Sequence, residues 1–144
     1  MRAPASVGNV NPRRWECFVA VVDDDEAVRR ALSRLIRSLG FEAEAYASGE
    51  EFLAGLERRT PDCVVLDLHM PKVSGFEVQA RMAESGLRIP VIVITGHDSP
   101  ETRARALGGG AAAYLCKPLD GLALKEAIHA AVVGSPATNG RATR

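Results

Sequence analysis

The sequence predicts one α/β domain in which a five-stranded parallel sheet is flanked by helices. Five short apolar runs alternate with five segments that carry helical periodicity or helix-start signals, an order typical of parallel sheets. Three of the runs are almost continuously apolar, as expected of strands buried on both faces. The chain has 144 residues, of which 47% are hydrophobic, and this is enough for a single core.

The first two strands and the helix between them have the clearest patterns. The second run, FEAEAY, alternates between apolar and polar residues, which favours an edge position in the sheet. The first helix has one apolar stripe and ends at Gly40. The stripe consists of Val28, Ala31, Leu32, Leu35 and Leu39. The five predicted strands cover residues 17–22, 41–46, 63–68, 89–95 and 111–116.

The other helices are predicted from their first residues or their apolar faces. Ser48 and Glu51 have the spacing of a capping box, and so do Ser74 and Glu77. The segment Ser99-Pro100-Glu101 has a cap, a first-turn proline and an acid in the favoured order. The last helix has an apolar stripe made of Leu124, Ala127, Ile128, Ala131 and Val132.

Charge and composition exclude several classes of protein. The 18 basic and 18 acidic residues cancel, so bulk charge does not indicate a nucleic-acid-binding chain. No apolar stretch reaches the roughly 18 residues of a membrane span, and the N-terminal segment has no apolar run typical of a signal peptide. We therefore expect a cytoplasmic protein without direct membrane or nucleic-acid contacts.

The cysteines indicate reduced thiols, and the composition of the two ends of the chain indicates the limits of the domain. The three cysteines are far apart and lie in apolar runs, which argues against metal binding and disulfides. We expect buried, reduced thiols at Cys17, Cys63 and Cys116. Residues 1–16 and 134–144 are rich in Gly, Pro, Ser, Thr, Asn and Arg, so we expect them to be disordered around a domain over 17–133.

Reactive side chains lie at the carboxyl ends of four of the five predicted strands. Asp23 and Asp24 end the first strand, Asp67 the third, Thr95 the fourth and Lys117 the fifth. Because the carboxyl ends of parallel strands meet at one edge of a sheet, where ligands bind, we expect these side chains to lie close together.

This set of residue types is typical of phosphoryl transfer. Clustered carboxylates repel one another unless a cation neutralises them, and Mg²⁺ (or Mn²⁺) suits Asp23, Asp24 and Asp67. Lys117 supplies a point charge and Thr95 a hydroxyl donor for a phosphoryl oxygen. We therefore predict phosphoryl transfer onto a carboxylate, with Asp67 as the nucleophile.

Several residues in or beside the predicted site also have a purely structural interpretation. Asp25, and less readily Asp24, would serve as the cap of the first helix. Pro118 would start a helix or follow a cis peptide bond. His69 and His97 lie in loops beside the predicted site, but their spacing matches no zinc pattern.

Four segments together resemble the receiver domain of bacterial two-component response regulators. They are VVDDDEAVR (21–29), VVLDLHMPKVSGFE (64–77), VIVITGH (91–97) and ALGGGAAAYLCKP (106–118), within a match over roughly 17–133. The resemblance implies a flavodoxin-like (βα)5 fold with strand order 2-1-3-4-5. The VITGH stretch is most similar to receivers that precede helix-turn-helix output domains.

The resemblance implies a role for each residue of the site. Asp67 corresponds to the phospho-acceptor, Asp24 to a direct Mg²⁺ ligand and Asp23 to a ligand acting partly through water. The backbone carbonyl of His69 corresponds to a further metal ligand. Thr95 and Lys117 correspond to the switch hydroxyl and the lysine of the site.

The resemblance also implies how the site communicates with a partner. Tyr114 corresponds to the switch aromatic, and the Lys117–Pro118 bond to a cis peptide. A histidine kinase or phosphotransfer protein would supply the phosphoryl group, and the face of the fourth helix, fifth strand and fifth helix would change for a downstream protein or a homodimer. The domain would promote only its own phosphorylation and dephosphorylation and would not be an enzyme in the ordinary sense.

This sequence departs from the family pattern at two places, and alternatives remain. The side chains of GGGAAA at 108–113 are unusually small, and Leu119 replaces an aromatic residue.

Because no helix-turn-helix segment follows residue 133, we expect output through a bound partner. The alternatives are a pseudo-receiver that works without phosphorylation and the receiver part of a longer DNA-binding regulator. An aspartate phosphatase would need an acid where His69 stands, and the acids after the first strand argue against a flavin-phosphate loop.

Overall fold

A computed structural model of the chain describes residues 17–134, in which five strands alternate with five helices. The strands are β1 (Phe18–Val22), β2 (Glu42–Tyr46), β3 (Cys63–Asp67), β4 (Val91–Thr95) and β5 (Ala113–Cys116). The helices are α1 (Glu26–Ser38), α2 (Gly49–Gly55), α3 (Gly75–Glu84), α4 (Pro100–Gly108) and α5 (Gly121–Gly134). The disorder predicted for 1–16 and 134–144 concerns positions outside the described residues, apart from Gly134, which is the last residue of α5.

All five strands are parallel and have the order β2-β1-β3-β4-β5, so the predicted fold class is confirmed. The alternating strand β2 is at one edge, as its pattern predicted, and β1, β3 and β4 are buried along their whole length. In the register of the sheet, Val22 pairs with Leu66 and Asp67 with Ile94. This register brings the residues that follow β1, β3 and β4 to the same level at one edge.

The sheet has an apolar layer on each face. Helices α1 and α5 cover one face with a cluster that includes Leu32, Ile36, Leu124 and Ile128. Helices α2, α3 and α4 cover the other with a cluster that includes Phe52, Val78, Met82 and Ala106. Because both faces are buried, polar side chains of the central strands reach solvent only at the strand ends.

Helix α1 begins and ends as its sequence predicts, but its buried stripe differs. Asp25 is the N-cap and accepts hydrogen bonds from the backbone of Ala27 and Val28, which contributes about 1 kcal/mol. Gly40, with φ of 96°, follows the last turn. Ala31 is exposed and the buried centre contains Ser33, because the helix is rotated slightly from the predicted stripe.

One of the two predicted capping boxes is complete. Ser74 accepts from the backbone N–H of Glu77, whose carboxylate accepts from the backbone N–H of Ser74. Ser48 accepts from the Glu51 backbone in the same way, but the Glu51 carboxylate accepts from Ala47 instead, one residue before the cap. Here the chain turns out of edge strand β2 directly into α2, and this turn presents the earlier N–H to the carboxylate.

The prediction of three buried thiols is wrong for Cys116. Cys17 and Cys63 are buried, whereas Cys116 is exposed, because it is the last residue of edge strand β5. Burial, with a smaller effect of Asp62, raises the pKa of the Cys17 thiol to about 11, so it stays protonated. No helix within residues 17–134 has the length and apolar character required to cross a membrane.

Candidate functional site

The loop after β3 is folded tightly against the strand end that carries Asp67. A Cβ atom at Gly75 would lie 2.5 Å from the backbone oxygen of Asp67 and 2.7 Å from the Cα of Leu68. The Gly75 N–H donates to the Leu68 carbonyl at 2.9 Å. Only glycine permits this approach, and it holds the N-terminus of α3 against the site.

Three charged side chains form the charged cluster: Asp23, Asp67 and Lys117. The Lys117 ammonium donates to Asp23 Oδ2 at 2.9 Å and lies 3.5 Å from Asp67 Oδ1. The second oxygen of Asp23 accepts from the Asp25 backbone at 2.9 Å. Asp23 is fully buried and Asp67 is 4% exposed, so the ion pairs are largely shielded from water.

Burial decides the electrostatics of Asp67. Desolvation raises the pKa of its carboxyl group to about 6, and the nearby charge of Asp23 adds to this effect while Lys117 opposes it. For Lys117, burial alone would lower the pKa of the ammonium, but the hydrogen bond to Asp23 and the two carboxylate charges raise it overall. Two buried acids and one base leave the cluster with an excess of negative charge, which favours a cation.

The donor set also fits a divalent cation. Carboxylate oxygens of Asp23, Asp24 and Asp67 all lie within 4.8 Å of one another. Asp24 is exposed, and the helix-capping role is taken by Asp25, so the Asp24 carboxylate is available as a ligand. Oxygen-only ligands of this kind suit Mg²⁺ better than softer metals.

Thr95 contacts the loops on the other side of the site. Its hydroxyl oxygen is 3.2 Å from His69 Nδ1 and accepts from the backbone N–H of His97 at 3.0 Å. The two imidazole rings meet edge to face with centroids 4.8 Å apart. Burial, the His97 ring and the Lys117 charge lower the pKa of His69, which favours the neutral form of its ring.

Tyr114 lies on β5 beside α4, away from the charged cluster. Its side chain is buried in the apolar layer, and its hydroxyl donates to Asp98 Oδ1 at 2.9 Å. The guanidinium of Arg103 stacks over the ring at 5.0 Å from the centroid. The adjoining Lys117–Pro118 peptide bond is cis.

Comparison with known sequences decides the family. The sequence model of the response regulator receiver domain matches residues 19–129. The chain belongs to the response regulator receiver family. Receiver domains are signalling domains of bacterial two-component systems, not classical enzymes, and response regulators interact with histidine kinases.

Individual relatives of this receiver domain include whole regulators and solved receivers. Response regulator protein TodT of Pseudomonas putida is 34% identical over 98% of this chain and 67% of its own length. Nodulation protein W of Bradyrhizobium diazoefficiens is 39% identical over 81% of this chain and 51% of its own length. The chain thus spans between about half and two thirds of these relatives.

A solved structure agrees with the fold of this receiver domain. The response regulator receiver protein from Burkholderia phymatum is 47% identical, with a TM-score of 0.72, over 84% of this chain and 99% of that one. The receiver fold expected from the resemblance is therefore confirmed.

The structure groups the predicted site residues unevenly. Asp23, Asp24, Asp67 and Lys117 lie together, and Thr95 contacts the loop after Asp67 through His69. Sequence reasoning missed two other groups. Arg29 donates to the Asp23 backbone carbonyl at 2.9 Å, and Asp98 accepts from Tyr114. The position of Arg29, one helical turn into α1, could have indicated its contact with the end of β1. Asp98 lies in a loop without periodicity, so no comparable indication of its contact with Tyr114 was present in the sequence.

Proposed function

We propose that this receiver domain is a switch that accepts a phosphoryl group on Asp67 from a histidine kinase or a phosphotransfer protein. The environment of Asp67 carries the proposal. Its carboxylate is buried at the end of a central strand, 3.5 Å from the Lys117 ammonium and beside two further acids. A carboxylate with a purely structural role would not be stabilised by a second buried acid at this distance, because the two negative charges repel each other.

The transfer follows from these groups. A carboxylate oxygen of Asp67 attacks phosphorus, a P–O bond forms while the P–N bond to the donor histidine breaks, and the departing imidazole takes up a proton. With a pKa of about 6, the Asp67 carboxyl group is ionised at pH 7 and ready to attack. Lys117, already bound to Asp23 and within 4 Å of Asp67, stabilises the charge on the phosphoryl oxygens.

Asp23, Asp24 and Asp67 would hold Mg²⁺ (or Mn²⁺), with the backbone carbonyl of His69 as a further ligand. The ion would neutralise negative charge on the phosphoryl group. This proposal is supported by the spacing of the three carboxylates. It is also supported by the excess of acids over bases in a buried cluster.

Output is proposed to run through Thr95 and Tyr114. The Thr95 hydroxyl would move to a phosphoryl oxygen and Tyr114 would adjust with it, so that the face formed by α4, β5 and α5 changes for a protein partner or a second copy. The domain would promote its own phosphorylation and dephosphorylation and would act on no other substrate. Three free thiols suit a reducing compartment, the cytoplasm.

Intact-mass spectrometry after incubation with acetyl phosphate and Mg²⁺ tests the proposal. The wild type is expected to gain one phosphoryl group, and Asp67→Asn none. Asp62→Asn, at the opposite end of β3, is a matched control that keeps full labelling. Equal labelling of Asp67→Asn would disprove the assignment of the nucleophile. No labelling of the folded wild type would favour a pseudo-receiver.

A longer DNA-binding regulator is a second candidate for the whole protein. Its support is that the matched relatives are up to about twice as long as the matched region, which is 51% of Nodulation protein W. In such a protein the same face would act on an attached output domain. Limited proteolysis and mass analysis of the protein purified from its native cells would test this, because a longer polypeptide is expected.

A further inference from the structure

Neither hydrogen bond of the Thr95 hydroxyl involves Asp67. The Thr95 side chain is fully buried. Within residues 17–134 its hydroxyl has two partners, His69 Nδ1 at 3.2 Å and the His97 backbone N–H at 3.0 Å, and neither is an oxygen of Asp67. A hydroxyl has a single donor proton, so when His69 Nδ1 is the acceptor, Thr95 cannot keep this bond and also donate to a phosphoryl oxygen.

The surroundings of His69 make it suitable as a fixed partner. Leu68 and Met70, on either side of it, are 1% and 7% exposed, so the backbone at this point is anchored in the core. The His69 side chain is exposed, and its ring packs edge to face on His97 at 4.8 Å. The ring is thereby held at the rim of the site, two residues after Asp67, with Nδ1 toward Thr95.

We propose that His69 is a positioning residue that holds the Thr95 hydroxyl in the unphosphorylated protein. Phosphorylation of Asp67 then requires Thr95 to exchange the imidazole nitrogen for a phosphoryl oxygen. This inference rests on the proposed role of Asp67 as phospho-acceptor. It concerns the His69 side chain, whereas the metal role concerns only the backbone carbonyl of the same residue.

His69 holds the Thr95 hydroxyl in both tautomers of its ring. If Nδ1 accepts, the Thr95 proton is already committed to it; if Nδ1 donates, the bond still fixes the position of the hydroxyl oxygen. In either case His69 stabilises the unphosphorylated arrangement and opposes the switch. One net hydrogen bond corresponds to a change of about fivefold in an equilibrium constant, so His69 sets how far the switch moves for a given degree of phosphorylation.

The first test measures the side-chain rotamer of Thr95 by three-bond NMR couplings, without phosphoryl donor and without Mg²⁺. His69→Phe keeps a ring for packing on His97 but removes Nδ1, and we expect the Thr95 rotamer to become averaged. His69→Asn places an amide where Nδ1 was, and we expect it to restore a single rotamer. His97→Phe keeps the backbone N–H of that position and is the matched control, with a single rotamer expected.

Two results would overturn the inference. One is an unchanged Thr95 rotamer in His69→Phe. The other is equal averaging in His69→Phe and His97→Phe, because it would assign the effect to ring packing rather than to the hydrogen bond.

The second test titrates each variant with beryllofluoride and Mg²⁺, since beryllofluoride imitates a phosphoryl group on a carboxylate. His69→Phe is expected to bind about fivefold more tightly than wild type, with His69→Asn and His97→Phe close to wild type. Equal affinities of wild type and His69→Phe would contradict the inference while the proposed function stands. A folded wild type that binds no beryllofluoride would instead contradict the proposed function, whatever the Thr95 couplings show.

Discussion

The charged cluster and the two residues proposed to act as the switch, Thr95 and Tyr114, are held by different interactions. Asp23, Asp67 and Lys117 are joined by ion pairs in a buried position. Thr95 and Tyr114 each rely on hydrogen bonds to groups in loops, His69 and Asp98. Ion pairs in a buried place are costly to break, whereas a single hydrogen bond to a loop contributes about 1 kcal/mol.

This difference suits the two tasks proposed for these residues, which are to receive the phosphoryl group and to report its presence to a partner. The residues that receive the phosphoryl group must keep their positions before and after transfer, and strong pairing does so. The residues that report the transfer must exchange partners, which is possible only if the bond they leave is weak. Perturbing each region in turn should therefore produce losses of different size.

Lys117→Met is expected to show the largest effect on stability. The change leaves two buried carboxylates without their ammonium partner, and we expect the free energy of unfolding to fall by about 3 kcal/mol at pH 7. Urea unfolding with a chelator present measures it. Lys125→Met, which removes an exposed lysine of α5, should change little. Similar losses in both variants would mean that the charged cluster is no stronger than surface pairs.

Asp67→Asn is expected to stabilise the metal-free protein in a pH-dependent way. Burial raises the pKa of Asp67 to about 6, so between about pH 4 and that value the folded state binds more protons than the unfolded state. The contribution of Asp67 to the free energy of unfolding of the wild type therefore falls as pH rises through that window. The variant should be about 2 to 3 kcal/mol more stable at pH 7 and hardly different at pH 4.

Thermal unfolding at both pH values checks this prediction. Asp62→Asn, whose carboxylate accepts from the Phe18 backbone at the opposite end of β3, is the control and should show no such gain. A gain for Asp67→Asn that is the same at pH 4 would contradict the electrostatic explanation.

Asp24→Asn is expected to weaken Mg²⁺ binding by about tenfold while leaving the fold intact, because its exposed carboxylate is one of the three proposed as charged ligands. Isothermal titration with MgCl₂ provides the measurement. Asp25→Asn is the matched control, since asparagine caps a helix as well as aspartate does. Should Asp25→Asn weaken binding equally, net charge rather than ligation would explain the effect.

Tyr114→Phe is expected to have the smallest effect, a loss of about 1 kcal/mol in the free energy of unfolding, because only the hydrogen bond to Asp98 is removed. Asp98→Ala should lose a similar amount, and the double variant no more than either single change. Denaturant unfolding of the four proteins completes the cycle. Strictly additive losses would show that the two side chains do not depend on each other.

The site residues that were predictable share one property, because each lies at the carboxyl end of a long apolar run. Asp23, Asp67 and Thr95 could be placed together because a buried parallel strand is recognisable in sequence and its carboxyl end lies at a known edge. The same reasoning identified Asp25 as the cap of α1. These features depend on neighbours along the chain.

The missed features depend on neighbours in space. Cys116 is exposed because β5 has no strand beyond it. Asp98 meets Tyr114 across 16 positions, and His69 meets Thr95 across 26. No local periodicity encodes such contacts, since loops of irregular conformation bring the partners together.

By itself, the sequence determined the fold class, the strand order through its family resemblance, and the edge at which the acids and Lys117 meet, because apolar periodicity and strand ends are properties of consecutive residues. Tertiary structure alone decided which carboxylate pairs with Lys117, how deeply Asp67 is buried and which groups hold the Thr95 and Tyr114 hydroxyls. Those outcomes depend on strand register and loop packing, which join residues far apart in the chain.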